Sequence, residues 1–273
     1  GGTFSAIHST FSGNSAGDDG GAVAIVSGTF MDQENVWQGN NAVRGGAVFA
    51  QDTIIFSDGS IWSSNTASNA GGALSITGGS ASIYRGEWQA NTAGISGGAL
   101  AIVDLNDPMS NFRNLLFTDN NAGTEGGGIA VSGSNSAFTL ANCTLAGNEA
   151  PGEGAGILVD VYSGAGISLW SNLVTWSNGQ SGLYSSGGAS VAWNSAYATS
   201  SGMDFSGEAS AGNNENNVEN PVFYAWSDDE VANDVFTLDA ASPVRNTGPS
   251  DAAWNDRDGS RNDRGYTGGP YAP

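Results

Sequence analysis

Lysine is absent from this 273-residue chain, and its seven cations, all arginine, are set against 27 acidic residues for a net charge of −20. Nucleic acid and anionic membrane surfaces both require a basic face, so neither is an expected partner. The single cysteine, Cys143, excludes an internal disulfide framework. No apolar run reaches the ~18 residues of a membrane-spanning helix, so membrane insertion by this segment is not expected. No charged-then-apolar leader opens the chain. Helical periodicity is missing as well. Glycine is plentiful at 42 residues, yet it follows no G-X-Y period, which excludes collagen. Eight tryptophans and 10% aromatic residues describe a folded chain rather than a disordered one.

What is present is a repeat. Gly20-Gly21-Ala22-Val23 returns as Gly45-Gly46-Ala47-Val48, Gly71-Gly72-Ala73-Leu74 and Gly97-Gly98-Ala99-Leu100. Two variants follow, Gly126-Gly127-Gly128-Ile129 and Gly154-Ala155-Gly156-Ile157. A second landmark places Asn three residues after a large apolar side chain: Phe11/Asn14, Trp37/Asn40, Trp62/Asn65, Trp88/Asn91, Phe117/Asn120 and Leu145/Asn148. Asn178 extends the series with a blurred partner, and successive Asn residues lie 26, 25, 26, 29, 28 and 30 residues apart. A fixed period in this range means stacked units, none of which can bury its core alone.

The residues after each glycine pair alternate, as in Leu74/Ile76 and Leu100/Ile102, so the units are built of short strands separated by turn residues. The expected fold is all-β: a right-handed parallel β-helix of about seven to nine coils, favoured over a β-sandwich because a sandwich needs no repeated register. Residues 1–203 form its coils in this reading. Residues 204–273 form a C-terminal loop and cap of the same domain, within which residues 220–273 break the period and carry most of the proline. Residues 2–14 match residues 28–40 in length and ends, so the first coil is incomplete. The chain is therefore expected to be a piece of something longer or a processed form.

In such a coil the seven Asn, Asn14, Asn40, Asn65, Asn91, Asn120, Asn148 and Asn178, are expected to stack as an internal ladder, with the aromatic residues in a neighbouring column. On the strand after the glycines the outward set is small and uncharged: Ala22, Ala24, Ala47, Phe49, Ala73, Ser75, Ala99, Ala101 and Ala130. In so acidic a chain that flat strip is a candidate interaction face, unless a neighbouring segment covers it.

The GGA-[VL] and [FW]-x-x-N repeats resemble those of polymorphic outer-membrane proteins and related autotransporter adhesins. The C-terminal segments Asn220-Pro221-Val222-Phe223, Phe236-Thr237-Leu238, Asn246-Thr247-Gly248 and residues 256–270 resemble the pectin-lyase-like secreted β-helix proteins with a "choice-of-anchor Q" type C-terminal region. The resemblance implies a β-helix and a secreted or cell-surface location; fold alone does not fix activity.

Polysaccharide lyases on this fold need a base, often Arg or Lys, beside acidic calcium ligands. Arg85, with Glu87 nearby, is the best-placed candidate, against the plainer reading of a surface ion pair. The segments of a pectinase-type hydrolase are missing, and His8 sits in the incomplete coil. Asp18-Asp19 and Asp228-Asp229-Glu230 read as solvated turns rather than a glycosidase pair. No catalytic residue and no cofactor is assigned, calcium excepted. Asp256, Asp258, Ser260, Asn262 and Asp263 alternate oxygen side chains about Gly259, which suits calcium. The interspersed Arg257, Arg261 and Arg264 offer a rival Asp–Arg network.

The leading functional expectation is a non-catalytic extracellular or surface module, structural or adhesive, that assembles with itself or with upstream coils and meets a glycan or cell-surface ligand. The alternative is a carbohydrate-active enzyme, lyase or hydrolase, or a glycan-binding β-helix.

Overall fold

In the computed structural model the chain winds as a parallel β-solenoid of about six turns in register. The structure describes all residues except 135, 162–165, 171, 179–180, 187–188, 193–194, 199–202, 208–217, 220–222, 226–234, 239–240, 243 and 266. For 170, 173–178, 189–192, 195–198, 203–205, 207, 218–219, 223–225 and 235–238 it describes the backbone alone.

Three parallel sheets form the walls. The first has eight strands, running from Thr3–Ile7 through Thr29–Gln33, Ile54–Asp58 and Ser80–Tyr84 to Ala189–Ala192. The second begins at Thr10–Ser12 and Val36–Gln38, and a second arm carries Asn41–Arg44 and Thr66–Ala70. The third has eight strands, from Val23–Val26 through Leu74–Thr77 and Leu100–Val103 to Met203–Gly207. Through the central coils of the third sheet register is kept residue for residue, Leu74 pairing with Leu100 and Ile76 with Ile102, and in the second sheet Trp37, Trp62 and Trp88 occupy one row.

Period-two patterning delivers the core. In Ile54–Asp58 the side chains of Ile55 and Ser57 are buried while Ile54 and Phe56 point outward. Ile76, Leu100, Phe112 and Leu140 extend the same interior through successive coils. Among the described residues no helix is long and apolar enough to cross a membrane.

Each letter of the Gly-Gly-Ala signature has a separate cause. Gly71 has φ +67°, a left-handed conformation that costs glycine little, and a Cβ there would lie 2.4 Å from the Leu74 carbonyl oxygen. Gly72 has an ordinary φ, but its Cβ would sit 2.0 Å from the carbonyl oxygen of Gly98 in the next coil. The first glycine makes the bend and the second lets the coils approach. Ala73, fully buried, fills the narrow interior behind them.

Of the region expected as a cap, the described residues between 241 and 273 lie along a flank of the solenoid, at the corner after the first sheet. Asn114 donates Nδ2 to the Gly268 carbonyl at 2.5 Å, and Asn142 donates Nδ2 to Asn262 Oδ1 and to the Asp263 carbonyl, each at 3.0 Å. The Arg113 guanidinium lies 4.7 Å from the ring centre of Trp254 and 5.4 Å from that of Tyr271. The described part of the expected cap is thus a lateral clamp, because its polar groups pair with a turn column and not with the end of a coil.

Candidate functional site

Two arrangements bear on function: the sealed interior that makes the rod, and a groove where the C-terminal clamp meets the first sheet.

The interior rests on the asparagines. Asn40 donates its main-chain N–H and its Nδ2 to Asn65 Oδ1, both at 3.0 Å, and a second Nδ2 hydrogen to the Phe11 carbonyl at 2.9 Å. Asn65 repeats this toward Asn91 and Trp37, Asn91 toward Asn120 and Trp62, and Asn120 toward Asn148 and Trp88. The three-residue spacing of the motif follows: the carbonyl of one coil's aromatic residue accepts from the next coil's Asn. The rings stack beside them, Trp37 on Trp62 at 5.1 Å and Trp62 on Trp88 at 4.7 Å.

The series as read from sequence needs two corrections. Asn14 donates its main-chain N–H and Nδ2 to Asn40 Oδ1, each at 2.9 Å, but is itself exposed, so the ladder is internal only from Asn40 onward. A register shift after Leu145 places Trp176 opposite Asn148, and Asn178 opposite Glu149, so Asn178 is out of the ladder's row. Its spacing of 30 residues already exceeds that of the regular coils.

Other polar groups inside the solenoid carry no repeat. Asp32, 1% exposed, accepts from Asn35 Nδ2 at 2.5 Å, Trp37 Nε1 at 3.0 Å and Ser57 Oγ at 2.6 Å. Burial raises its pKa above the ordinary carboxylate value, and the three donors only partly offset this. Asn35 and Asn172 cap a second corner, accepting from the Ser9 and Cys143 amides. Cys143 is fully buried, and desolvation pushes its thiol up to about 12, which makes it inert.

The flat, small-residue face is not open. Ala47, Ala73 and Ala99 belong to the core, while Phe49, Ser75 and Ala101 are each 3% exposed and Ala130 5%. At the first glycine of each pair the chain doubles back over the strand it precedes: a Cβ on Gly126 would lie 2.7 Å from Ala130 Cβ. Arg44, held bidentately by Asp19, lies over the Phe49 ring at 4.5 Å. Only in the first coil does the strip reach solvent, at half-buried Ala22 and exposed Ala24.

Arg85 stands in a left-handed turn, φ +53°, and its guanidinium forms a fork on the Asp58 carboxylate of the preceding coil, with Nε at 2.8 Å. His8 meets Glu34 at 3.2 Å on the surface. Asp228, Asp229 and Glu230 lie outside the described residues. In the loop proposed for calcium, Asp256 accepts from the Asp263 and Gly269 amides, and Asp258 accepts from the amide and hydroxyl of Ser260. Asp263 accepts from the Asn246 amide, and Asn262 turns its Nδ2 to the Trp254 carbonyl. Groups inside the loop and from Asn142, Asn246 and Gly269 outside it donate to these oxygens. Among the described residues no three His, Cys, Asp or Glu side chains group as metal ligands.

The groove lies beside the clamp. Phe56, Asp58, Tyr84 and Arg85 form its floor and Arg257, Pro270, Tyr271 and Ala272 its wall, around about 450 Å³. The sequence pattern marks Arg85 but not the aromatic groups that surround it. Tyr271 is nearly two hundred positions from Tyr84, and no periodic signal links them.

Residues 8–25, which hold the Phe11/Asn14 pair and the first Gly-Gly-Ala-Val, match the Chlamydia polymorphic membrane protein (Chlamydia_PMP) repeat. The matched segment lies within the first coil of the solenoid. No curated protein and no solved structure matches the chain.

Proposed function

We propose that this chain is a non-catalytic, surface-displayed β-solenoid whose role is adhesive: a rigid rod that presents its flank to a ligand. The match of residues 8–25 to a repeat of polymorphic membrane proteins is the observation that carries a cell-surface setting. The unbroken ladder from Asn14 to Asn148 supports the rod, since each of these coils is tied to the next by amide hydrogen bonds, buried from Asn40 onward. A non-catalytic role is supported by the state of the arginine a lyase would use as base. Arg85 is forked on Asp58, and a base must be available to the proton it removes. Calcium has no part in this reading, because Asp256, Asp258 and Asp263 accept from the amides of Asp263, Gly269, Ser260 and Asn246.

Association through the first coil belongs to the proposal as well. Phe4 and Phe11 pack on the core but are only partly buried, an apolar surface that upstream coils of a longer chain or a second copy can cover.

The test has two arms. The purified chain, immobilised on beads, should retain cells from a panel of eukaryotic and bacterial types. Incubated with pectins, alginates and neutral glycans, it should release no unsaturated products and no new reducing ends. Turnover that Arg85→Ala abolishes would overturn the non-catalytic reading.

A further inference from the structure

The rings at the groove differ from those of the core. Tyr84 and Tyr271 stack at 5.4 Å with 25° between planes, and Phe56 lies 6.4 Å from Tyr84. Phe56 is 39% and Tyr271 48% exposed, whereas Trp37, Trp62 and Trp88 are fully buried. The apolar strip runs on from the groove, for Met31 pairs with Phe56 across the sheet and Ile54 is 60% exposed on the same face. Large rings left open in a concave, partly polar setting are the ordinary signature of a ligand site, and the volume falls in the small-ligand range.

The polar groups are arranged for hydroxyls. Asp58 is a fixed acceptor, Arg85 a fixed donor fork held by it, and Arg257 is tethered by its Nη1 to the Ala272 carbonyl at 3.1 Å. Pairing with Asp58 removes most of the positive field of Arg85, so a polyanion gains little here and is repelled by the net charge of −20. A cation would meet Arg257. A wholly apolar ligand would strip water from the Asp58–Arg85 pair without replacing it. An added peptide strand finds no free edge, because Ile54–Asp58 is paired on both sides, to Thr29–Gln33 and to Ser80–Tyr84.

We propose that this groove binds a neutral saccharide chain. The open faces of Phe56 and Tyr271 take the C–H faces of pyranose rings, while Asp58 accepts from and Arg85 and Arg257 donate to the hydroxyls. The inference deepens the adhesive reading and rests on it, with the first-sheet flank as the adhesive surface.

The probes are cellotetraose, maltotetraose and mannotetraose, each titrated calorimetrically into the full chain, with tetragalacturonate as the charged arm. At least one neutral tetrasaccharide should bind saturably. Phe56→Ala, on an exposed strand position, should weaken it about tenfold with an unchanged melting temperature, as loss of an aromatic anchor does. Arg257→Ala should weaken it by a smaller factor. The proposal falls if no neutral probe binds at millimolar concentration, if tetragalacturonate binds more tightly, or if both variants bind as wild type. Cell retention separates the two readings. If wild-type chain retains cells and saturating tetrasaccharide does not release them, the saccharide assignment falls and adhesion stands. If it binds tetrasaccharide yet retains no cell, the groove stands and the adhesive role falls.

Discussion

Asn91 Oδ1 accepts both the main-chain N–H and the side-chain Nδ2–H of Asn65, each at 3.0 Å, in a site with no solvent exposure. Its own Nδ2 serves Asn120 Oδ1 at 2.9 Å and the Trp62 carbonyl at 2.8 Å. One amide thus ties its own coil to the coils on both sides. Truncation to Ala strands two donors and a carbonyl in a dry interior, where each unmet group costs ~1–3 kcal/mol. Asn91→Ala should therefore lower unfolding free energy by several kcal/mol in a denaturant titration. A midpoint equal to wild type would show that the ladder is not a source of stability.

The glycine pair gives a sharper contrast, because steric conflict can be compared with open space. A Cβ at Gly72 would stand 2.0 Å from the Gly98 carbonyl oxygen, and nothing lies within 4 Å of one at Gly17. Gly72→Ala should force adjacent coils apart and yield either insoluble chain or one that melts far below wild type. Gly17→Ala should melt within a degree or two of wild type. Equal melting curves for the two variants would exclude the coil-contact role assigned to the second glycine.

These two features were legible in the sequence because a solenoid imposes the same constraint once per coil. An Asn that must bond the coil before it, and a glycine that must admit the coil after it, recur at the solenoid period. Features that occur in one coil leave no such trace. Asp32 stands in register with Ser57 in the next coil, so its buried carboxylate has no repeat to announce it. The covering of Phe49 and Ala101 depends on the direction in which the chain doubles back, which strand alternation does not encode. Asn142 meets Asn262 across 120 positions, a pairing that composition could suggest only as a generic cap.

The clamp makes its own prediction. Arg113 stands between the rings of Trp254 and Tyr271, a cation–π contact worth ~1–2 kcal/mol when partly desolvated. Arg113→Ala should loosen residues 241–273 while leaving the coils intact. Hydrogen exchange should quicken at the Arg264 and Gly268 amides, which donate to the carbonyls of Val244 and Gly265, and should stay slow at Leu74 and Ile102. Uniform acceleration across both regions would mean that the clamp and the coils unfold as one unit.

Asp32 makes stability depend on pH in a direction opposite to that of a salt-bridged carboxylate. Desolvation raises its folded-state pKa above 3.8, the value that applies when the chain is unfolded. Between those two values the folded chain binds more protons than the unfolded one, so stability rises as pH falls through the window. Above it the carboxylate is ionised in both states, and the folded state bears the full cost of holding that charge in the core. Asp256 and Asp263, raised chiefly by burial as well, act in the same sense. Wild-type chain should therefore gain melting temperature as the pH is lowered from neutrality toward 3.8, the lower edge of that window. Asp32→Asn removes one titration while keeping an oxygen for Ser57 or Trp37, so its melting temperature should rise less over the same interval. The difference between the two slopes isolates Asp32 from the general relief of negative charge on acidification. If the variant and wild type show parallel slopes, Asp32 does not titrate with a raised pKa. If wild type loses stability on acidification while Asp32→Asn does not, the sign itself is wrong and the carboxylate is stabilised in its ionised form by Asn35, Trp37 and Ser57.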